Sequence, residues 1–462
     1  MRKHYHFIGI GGTGLSAIAR ILLEQGNTIS GSDMILSPLA LELRSLGATI
    51  YEGHKAEQIV GADMVIRSSA IKDENEEVQA ARNAGIPVLK RVDFLHELTS
   101  GFRLIAVAGT HGKTTTTAMA AWVFNQLDLD PSFIIGGTSK DLKSNAHAGR
   151  GDYFVVEADE YDSMFLGLAP DSLIITNVEY DHPDCYPTRE AYFNAFKELV
   201  RKMNKDGVLL VCADHPQAFE IGKWAEQYGN VQYYGSSSHA QYQIKNIHHE
   251  EQHGVCFRLR FPDGKEIDQE LSIPGDHNAY NASAVFALID RLGFSIERTS
   301  QALSKFSGTE RRFDILGTFQ GITLIDDYGH HPTEIRSTIH AARCKYPQNR
   351  VFTIWQPHTY SRTQELFTDY LDAFHESDVV IVTEIYASRE KVQNYSAKQV
   401  AEKINNANVH FIASLQDTTK FLLQELKSGD VVLVLSAGDA NQINQVLSRE
   451  LSTPPTEGRG HA

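Results

Sequence analysis

Residues 104–115 read LIAVAGTHGKTT, and that stretch decides the fold class. Five consecutive apolar residues, 104–108, predict a strand covered on both faces. The loop Gly109-Thr110-His111-Gly112-Lys113-Thr114-Thr115 follows, and helical spacing runs from 114 to 127. A glycine turn between a buried strand and a helix aims backbone N–H groups at phosphate. Lys113 stands where an ammonium neutralises β- and γ-oxygens, and Thr114 where a hydroxyl ligates Mg²⁺. The common pattern would put its first glycine at Val107, so Gly109 opens a shorter loop. The bland alternative is a glycine turn with an exposed lysine.

Outward from this loop, strand and helix alternate in both directions, which predicts mostly parallel sheets with helices on both faces. Upstream, strands are expected at 6–10, 28–31, 64–67 and 88–89, with a helix at 15–25. Downstream, they are expected at 153–156, 173–176 and 207–211. Short antiparallel strands follow at 241–247, 255–261 and 267–273, then a helix at 281–292. Further strands at 322–325, 351–355, 379–382 and 431–435 form another α/β unit. The pattern restarts twice, giving units at 1–98, 99–308 and 309–462. The fold class is therefore α/β in three domains. The first is Rossmann-like. The second is a P-loop ATPase-type parallel sheet with a small antiparallel sheet, and the third is Rossmann-like again. Residues 453–462 are polar and rich in Pro and Gly and are expected to be disordered.

Composition narrows the function. The 462 residues carry a formal charge of −15, which disfavours a nucleic-acid or anionic-membrane partner. No run of 18 apolar residues occurs, so no membrane insertion is expected. The four cysteines form no CxxC pair. That argues against a disulfide framework or structural zinc and for a reducing cytoplasm.

Other segments carry candidate chemistry. Gly9-x-Gly11-x-x-Gly14 lies between a strand and a helix, with Asp33 at the end of the next strand. The pattern suits NAD or FAD, which keeps a nicotinamide-dependent oxidoreductase open. It equally suits another diphosphate nucleotide, or a tight turn without ligand. EADEYD at 157–162 packs four carboxylates at a strand end, where a cation such as Mg²⁺ would balance them. NVEYDH at 177–182 adds His182 as a further ligand or a packing residue. In PGDHNAYN at 274–281, Asn278 and Asn281 could read an adenine edge, although helix capping is the simpler local reading. The last unit supplies Arg312, the run Asp326-Asp327-Tyr328-Gly329-His330-His331, and His358 with Arg362. Adjacent histidines point in different directions, so one is expected to face substrate.

Together these segments resemble the Mur ligase family of peptidoglycan synthesis over nearly the whole chain. GTHGKTT, EADEYD, NVEYDH, GDHNAYNA, ERRF at 310–313, DDYGHHP at 326–332 and QPHTYSRT at 356–363 carry the resemblance. HFIGIGGTGLSAIA at 6–19 and SSAI at 68–71 look most like members that add L-alanine to UDP-N-acetylmuramate. A sister enzyme, murein peptide ligase, adds a recycled tripeptide to the same nucleotide sugar. EADEYD leans toward it through Tyr161, while the last-unit motifs lean toward alanine addition.

The resemblance implies ATP-dependent amide formation through an acyl phosphate. UDP-N-acetylmuramate would sit at Gly11, Gly12, Thr13, Gly14, Asp33, Ser68 and Ser69. ATP would contact Gly109 to Thr115, Asn278, Asn281, Arg312 and Asp327. Two Mg²⁺ ions are implied, one on Thr114 and Glu157 and one on Glu157 and His182. Tyr328, His330, His358 and Arg362 would border the amino acid and the muramoyl end. Lys113, His182, Arg312 and His330 are the implied catalytic set, in a monomer or homodimer.

Overall fold

A computed structural model describes residues 2–250 and 254–452. The tail expected to be disordered, 453–462, lies outside the described residues. The chain forms three sheets, each built from a contiguous stretch of sequence. The first holds β1 (His4–Ile8), β2 (Thr28–Asp33), β3 (Thr49–Glu52), β4 (Met64–Arg67) and β5 (Val88–Lys90). All pairs are parallel, in the order β3-β2-β1-β4-β5. The order reverses beside β1, which opens a crevice at its carboxyl end, where ligands sit in such sheets.

The second sheet holds β6 (Arg103–Ala108), β7 (Ser132–Ser139), β8 (Ser144–His147), β9 (Tyr153–Glu157) and β10 (Ser172–Ile175). It continues through β11 (Val208–Cys212), β12 (Asn230–Gly235), β13 (Tyr242–His249), β14 (Val255–Arg260) and β15 (Glu266–Glu270). The order is β15-β14-β13-β12-β11-β10-β6-β9-β7-β8, so the phosphate-loop strand β6 lies between β10 and β9. The antiparallel strands of 242–270 were expected as a small separate sheet. They continue the main one instead, because β12 and β13 pair at Tyr234↔Tyr242 and Gly235↔Gln243.

The third sheet holds β16 (Asp314–Phe319), β17 (Ile322–Asp327), β18 (Val351–Gln356), β19 (Val379–Val382), β20 (Val409–Phe411) and β21 (Val431–Ser436). Its order is β16-β17-β21-β18-β19-β20, with only β16 antiparallel. β17, β18 and β21 are buried along their whole length, as expected of mostly apolar strands covered on both faces, with Thr323 and Thr353 interrupting the first two.

Several boundaries move from the sequence expectation. β1 begins and ends two residues earlier than 6–10, because Gly9 at φ +84° already belongs to the turn. The helix expected at 281–292 runs Asp276–Arg291, with Gly275 at its N-cap. Asn278 and Asn281 are therefore buried helix residues, not caps. β3, β7, β8, β12, β16 and β20 lack strong apolar runs and were not anticipated.

The first two sheets share packing. The helix Arg91–Thr99 lies on the 3₁₀ segment Tyr161–Gly167, and Phe94, Leu98, Phe154 and Phe165 belong to one continuous core. That places the first glycine turn and the acidic motif on the same side of the molecule.

Candidate active site

The site grows from the carboxyl end of β6. Gly112 adopts φ +79° at the N-cap of the helix Lys113–Gln126, a left-handed turn that favours glycine. Thr110 Oγ1 donates to the Glu179 carbonyl and accepts from the Glu179 N–H, each at 2.8 Å. Asn177 Oδ1 accepts the His111 N–H at 2.8 Å. The loop is thus pinned to the segment after β10, with the helix N-terminus directed into the site.

Lys113 is the buried cation of the loop. Its Nζ donates to the Gly109 carbonyl at 2.7 Å and lies 2.8 Å from Glu160 Oε2. Burial opposes its charge, but Glu160, Glu157 and Asp159 outweigh that and raise its affinity for the proton. Glu160 is almost fully buried and also lies 3.6 Å from His182 Nε2. It was read within the acidic motif but not singled out as a site residue. Its long-range pairing with Lys113 leaves no local sequence signal.

Thr114 Oγ1 donates to Glu157 Oε1 at 3.1 Å, and the other Glu157 oxygen accepts the Gly136 N–H at 2.7 Å. Burial pushes the Glu157 carboxyl up despite Lys113. A hydroxyl and a carboxylate at this spacing are hard oxygen donors that fit Mg²⁺.

Two cavities meet at this loop. The smaller, about 340 Å³, is walled by Gly112, Thr115, Asn278, Asn281, Arg312 and Asp327. Asn278 Nδ2 donates to the Pro274 carbonyl at 2.6 Å, and Asn281 Nδ2 donates to Asn278 Oδ1 at 3.1 Å. The larger, about 760 Å³, runs from Gly11, Thr13 and Gly14 past Lys113, Glu157 and His182 to Tyr328, His330, His358 and Arg362. Thr114 and Arg312 border both cavities.

At the far end, Asp33 Oδ2 accepts the Gly11 N–H at 2.8 Å, so this acid holds the turn itself. Ser68 and Ser69 follow β4 beside the turn, but neither they nor Asp33 and Gly12 line the cavity wall. Arg91 does line it. A Cβ on Gly14 would lie 1.6 Å from Arg91 Nη1, so the missing side chain admits the guanidinium. Arg91 Nη2 also reaches Asp159 Oδ2 at 3.2 Å, which ties the first unit to the acidic motif. Sequence reading missed Arg91, which stands in no motif.

The third unit closes the site. Asp327 accepts the N–H groups of Phe313 at 2.7 Å and Gly329 at 2.6 Å, and burial raises its carboxyl to about 6. The Arg312 guanidinium lies 5.2 Å from the Tyr328 ring centre. His330 and His331 part as expected. His330 faces the larger cavity, whereas His331 accepts the Thr333 N–H as an N-cap and packs on His111, ring centres 4.6 Å apart. Burial beside Arg362 pushes His330 down to about 3, so it is a neutral imidazole. Burial with His330 and Arg362 nearby takes His358 to about 2. Arg389 stacks 4.2 Å over Tyr161 and pairs with Asp184 at 2.7 Å, a further wall residue that no motif announced.

The three family models that match the chain tile it in the order of its sheets. The Mur ligase family catalytic domain matches residues 4–103, the Mur ligase middle domain 107–289, and the Mur ligase glutamate ligase domain 311–438.

The chain belongs to the Mur ligase family.

Among curated Mur ligases, it is 40% identical to a UDP-N-acetylmuramate–L-alanine ligase of Roseiflexus sp. (strain RS-1), covering 96% of this chain and 98% of that protein. It is 37% identical to the ligase of the same name from Caldanaerobacter subterraneus subsp. tengcongensis, covering 97% and 98%. Among solved Mur ligase structures, the UDP-N-acetylmuramate–alanine ligase of Thermotoga maritima superposes with a TM-score of 0.83 at 28% identity, covering 97% of this chain and 99% of that one. A murein peptide ligase from Psychrobacter arcticus gives 0.74 at 26% identity, covering 98% and 100%. Mur ligases are ATP-dependent enzymes, and the three-unit α/β architecture of this chain is theirs.

Proposed function

We propose that this chain uses ATP and Mg²⁺ to join L-alanine to UDP-N-acetylmuramate through an acyl phosphate, in peptidoglycan precursor synthesis. The observation that carries the reading is the meeting of the two cavities at Thr114 and Arg312, with Lys113 on the wall of the larger one. One cavity suits a nucleotide held at the phosphate loop. The other leads from the first glycine turn to the same loop and suits a long nucleotide sugar whose carboxylate arrives at the γ-phosphate. Relatives named for alanine addition, at about 40% identity over nearly full length, support the acceptor.

In the first step the muramoyl carboxylate attacks the γ-phosphorus of ATP and ADP departs. In the second the neutral amine of alanine attacks the activated carbonyl and phosphate departs. The protein's part is positioning and charge stabilisation. Lys113 leaves Glu160 to meet the phosphates, and Arg312 approaches from the opposite unit. Thr114 with Glu157 would hold one Mg²⁺, and Glu157 with His182 a second. When bound, the ions shield the converging phosphate and carboxylate charge. Gly11, Thr13 and Gly14 line the way for the nucleotide sugar, and Arg91 offers its guanidinium to the diphosphate. Asn278 and Asn281 face adenine. Tyr328, His330, His358 and Arg362 border the acceptor amine, with His330 accepting a hydrogen bond from it. Four unpaired cysteines accord with a cytoplasmic site of action, and no described helix is long and apolar enough to cross a membrane.

Tyr161 favours a second acceptor, the recycled tripeptide of the murein peptide ligases. It packs on His182 with ring centres 5.1 Å apart, at the acceptor side of the cavity. Phosphate release from ATP, Mg²⁺ and UDP-N-acetylmuramate separates the two. Release with L-alanine and not with L-alanyl-γ-D-glutamyl-diaminopimelate is expected. Release with the tripeptide alone would move the chain to recycling, and silence with both would sink the acceptor assignment.

A further inference from the structure

Away from both cavities, three residues far apart in sequence converge on the seam between the second and third units. His340 and Cys344 stand one turn apart on the helix Pro332–Lys345, with His340 Nε2 3.4 Å from Cys344 Sγ. His249 ends β13 and faces them across the seam, its ring centre 6.4 Å from that of His340. One ligand atom from each residue can be chosen so that all lie within 4.8 Å of one another. The seam is close-packed here, since a Cβ on Gly275 would lie 3.2 Å from Ala341 Cβ.

Each imidazole has a carboxylate against one of its ring nitrogens. His249 Nε2 lies 2.6 Å from Asp276 Oδ1, and His340 Nδ1 lies 3.1 Å from Glu376 Oε2. Metal-bound histidines are oriented in this way, because the carboxylate fixes the tautomer and leaves the opposite nitrogen's lone pair free. In His340 that free nitrogen is Nε2, the atom turned toward the sulfur.

We propose that His249, His340 and Cys344 bind one zinc-class divalent ion that bridges the second and third units. Two imidazoles and a thiolate are a soft-to-borderline donor set that selects zinc over Mg²⁺, with water completing a tetrahedral shell. The ion therefore does not compete with the oxygen donors at Thr114 and Glu157. Burial, with Asp276 and Glu376 nearby, pushes the Cys344 thiol up. Binding reverses this: the Cys344 S–H bond breaks, a metal–sulfur bond forms, and the proton goes to solvent. Because the donors come from two units, the complete site exists only in the arrangement that brings them together, and the ion favours that arrangement.

The test is cobalt titration of the full chain after chelator treatment. A thiolate-to-cobalt charge-transfer band should grow to saturation at a single equivalent and vanish when zinc displaces cobalt. Cys344→Ser should abolish the band, and His249→Ala should weaken cobalt binding at least about tenfold. Glu376→Gln should weaken it by about 10–100-fold, the usual effect of losing a histidine's supporting partner. Of the two other clusters among the described residues, His111, Glu179 and His331 have no sulfur and cannot give this band, whereas His248, Glu250 and Cys256 would give one that survives Cys344→Ser. Circular dichroism melts of each variant without metal check that the chain still folds. No band in the folded parent, or a band that survives Cys344→Ser, would overturn the proposal. Undiminished affinity in His249→Ala would overturn the bridge between units.

Discussion

Arg362 of the third unit sets its Nε 2.7 Å from Asp181 Oδ1 of the second, and both side chains are buried. Burial alone would raise the Asp181 carboxyl, but Arg362, with His182 and the neighbouring His330, holds it well below the usual range. The pair therefore joins the segment after β10 to the segment after β18 at the site itself. Arg362→Ala leaves a buried carboxylate without its partner, which should cost about 3–5 kcal/mol. Asp181→Asn combined with Arg362→Gln should cost less than the two single changes summed. Urea denaturation of the four proteins gives the coupling, and strict additivity would mean that the pair does not hold the units together.

Lys113 is neutralised by Glu160 before any nucleotide arrives. Phosphate must displace that carboxylate, so the two residues should behave oppositely. Lys113→Met should lower phosphate release by about 10²–10³-fold, the scale of losing one aimed charge at a transition state. Glu160→Gln should keep the ammonium and tighten ADP binding in the absence of Mg²⁺. Calorimetric titration with ADP checks the second half, and weaker binding by Glu160→Gln would show that the carboxylate does not compete.

His111 sits between Glu179, at 3.1 Å, and Glu334 of the third unit, at 3.3 Å. Burial opposes its charge, but Glu334 and Glu179 raise it from 6.5 to about 9. A raised histidine stabilises the folded chain fully below its unfolded value, and the contribution fades as pH climbs through the folded one. The window therefore runs from about pH 6.5 to pH 9. At roughly 1.4 kcal/mol per unit the contribution is at most about 3.5 kcal/mol. Between the ends of that window the parent should lose more thermal stability than His111→Gln. Parallel melting curves for the two proteins would remove His111 as the cause.

Arg91 enters the space that Gly14 leaves open at the end of the larger cavity. If it meets the diphosphate, Arg91→Ala should raise KM for UDP-N-acetylmuramate while kcat changes little, the mark of lost uniform binding. A fall in kcat at unchanged KM would instead point to the contact with Asp159.

What could be read in advance follows contiguity. The phosphate loop is a strand, a turn and a helix in one run of residues, so Lys113 and Thr114 declared their place without the rest of the chain. The mostly apolar stretches of β17, β18 and β21 did the same for the third sheet. Glu160, Arg91 and Arg389 act through partners 47, 68 and 205 residues away, respectively, and no local period carries that information. β16 has an exposed middle and carries no apolar run to announce a strand. The helix at Asp276 begins in a polar run, and burial of Asn278 and Asn281 against the smaller cavity hides its period. Polar residues inside an element are where function displaced the pattern.

His330 gives the sharpest separation of the two chemical steps. Its Nδ1 lies 3.1 Å from the Tyr328 carbonyl, and its ring faces Asp181, with Nε2 4.0 Å from a carboxylate oxygen. Pushed to about 3, it is too weakly basic to hold a proton for long at neutral pH. A neutral ring at the acceptor end can nevertheless accept a hydrogen bond from the incoming amine and align its lone pair. It makes no contact with the phosphate loop, so acyl-phosphate formation should not need it. His330→Ala should therefore leave nucleotide-sugar-dependent ADP formation in a single turnover within about threefold of the parent, while amide formation falls by about 10²-fold or more. Trapping the acyl phosphate by borohydride reduction measures the first step and chromatography of the product measures the second. Equal loss of both would mean that His330 acts through the closure of the third unit, by way of Asp181 and Arg362, and not on the amine.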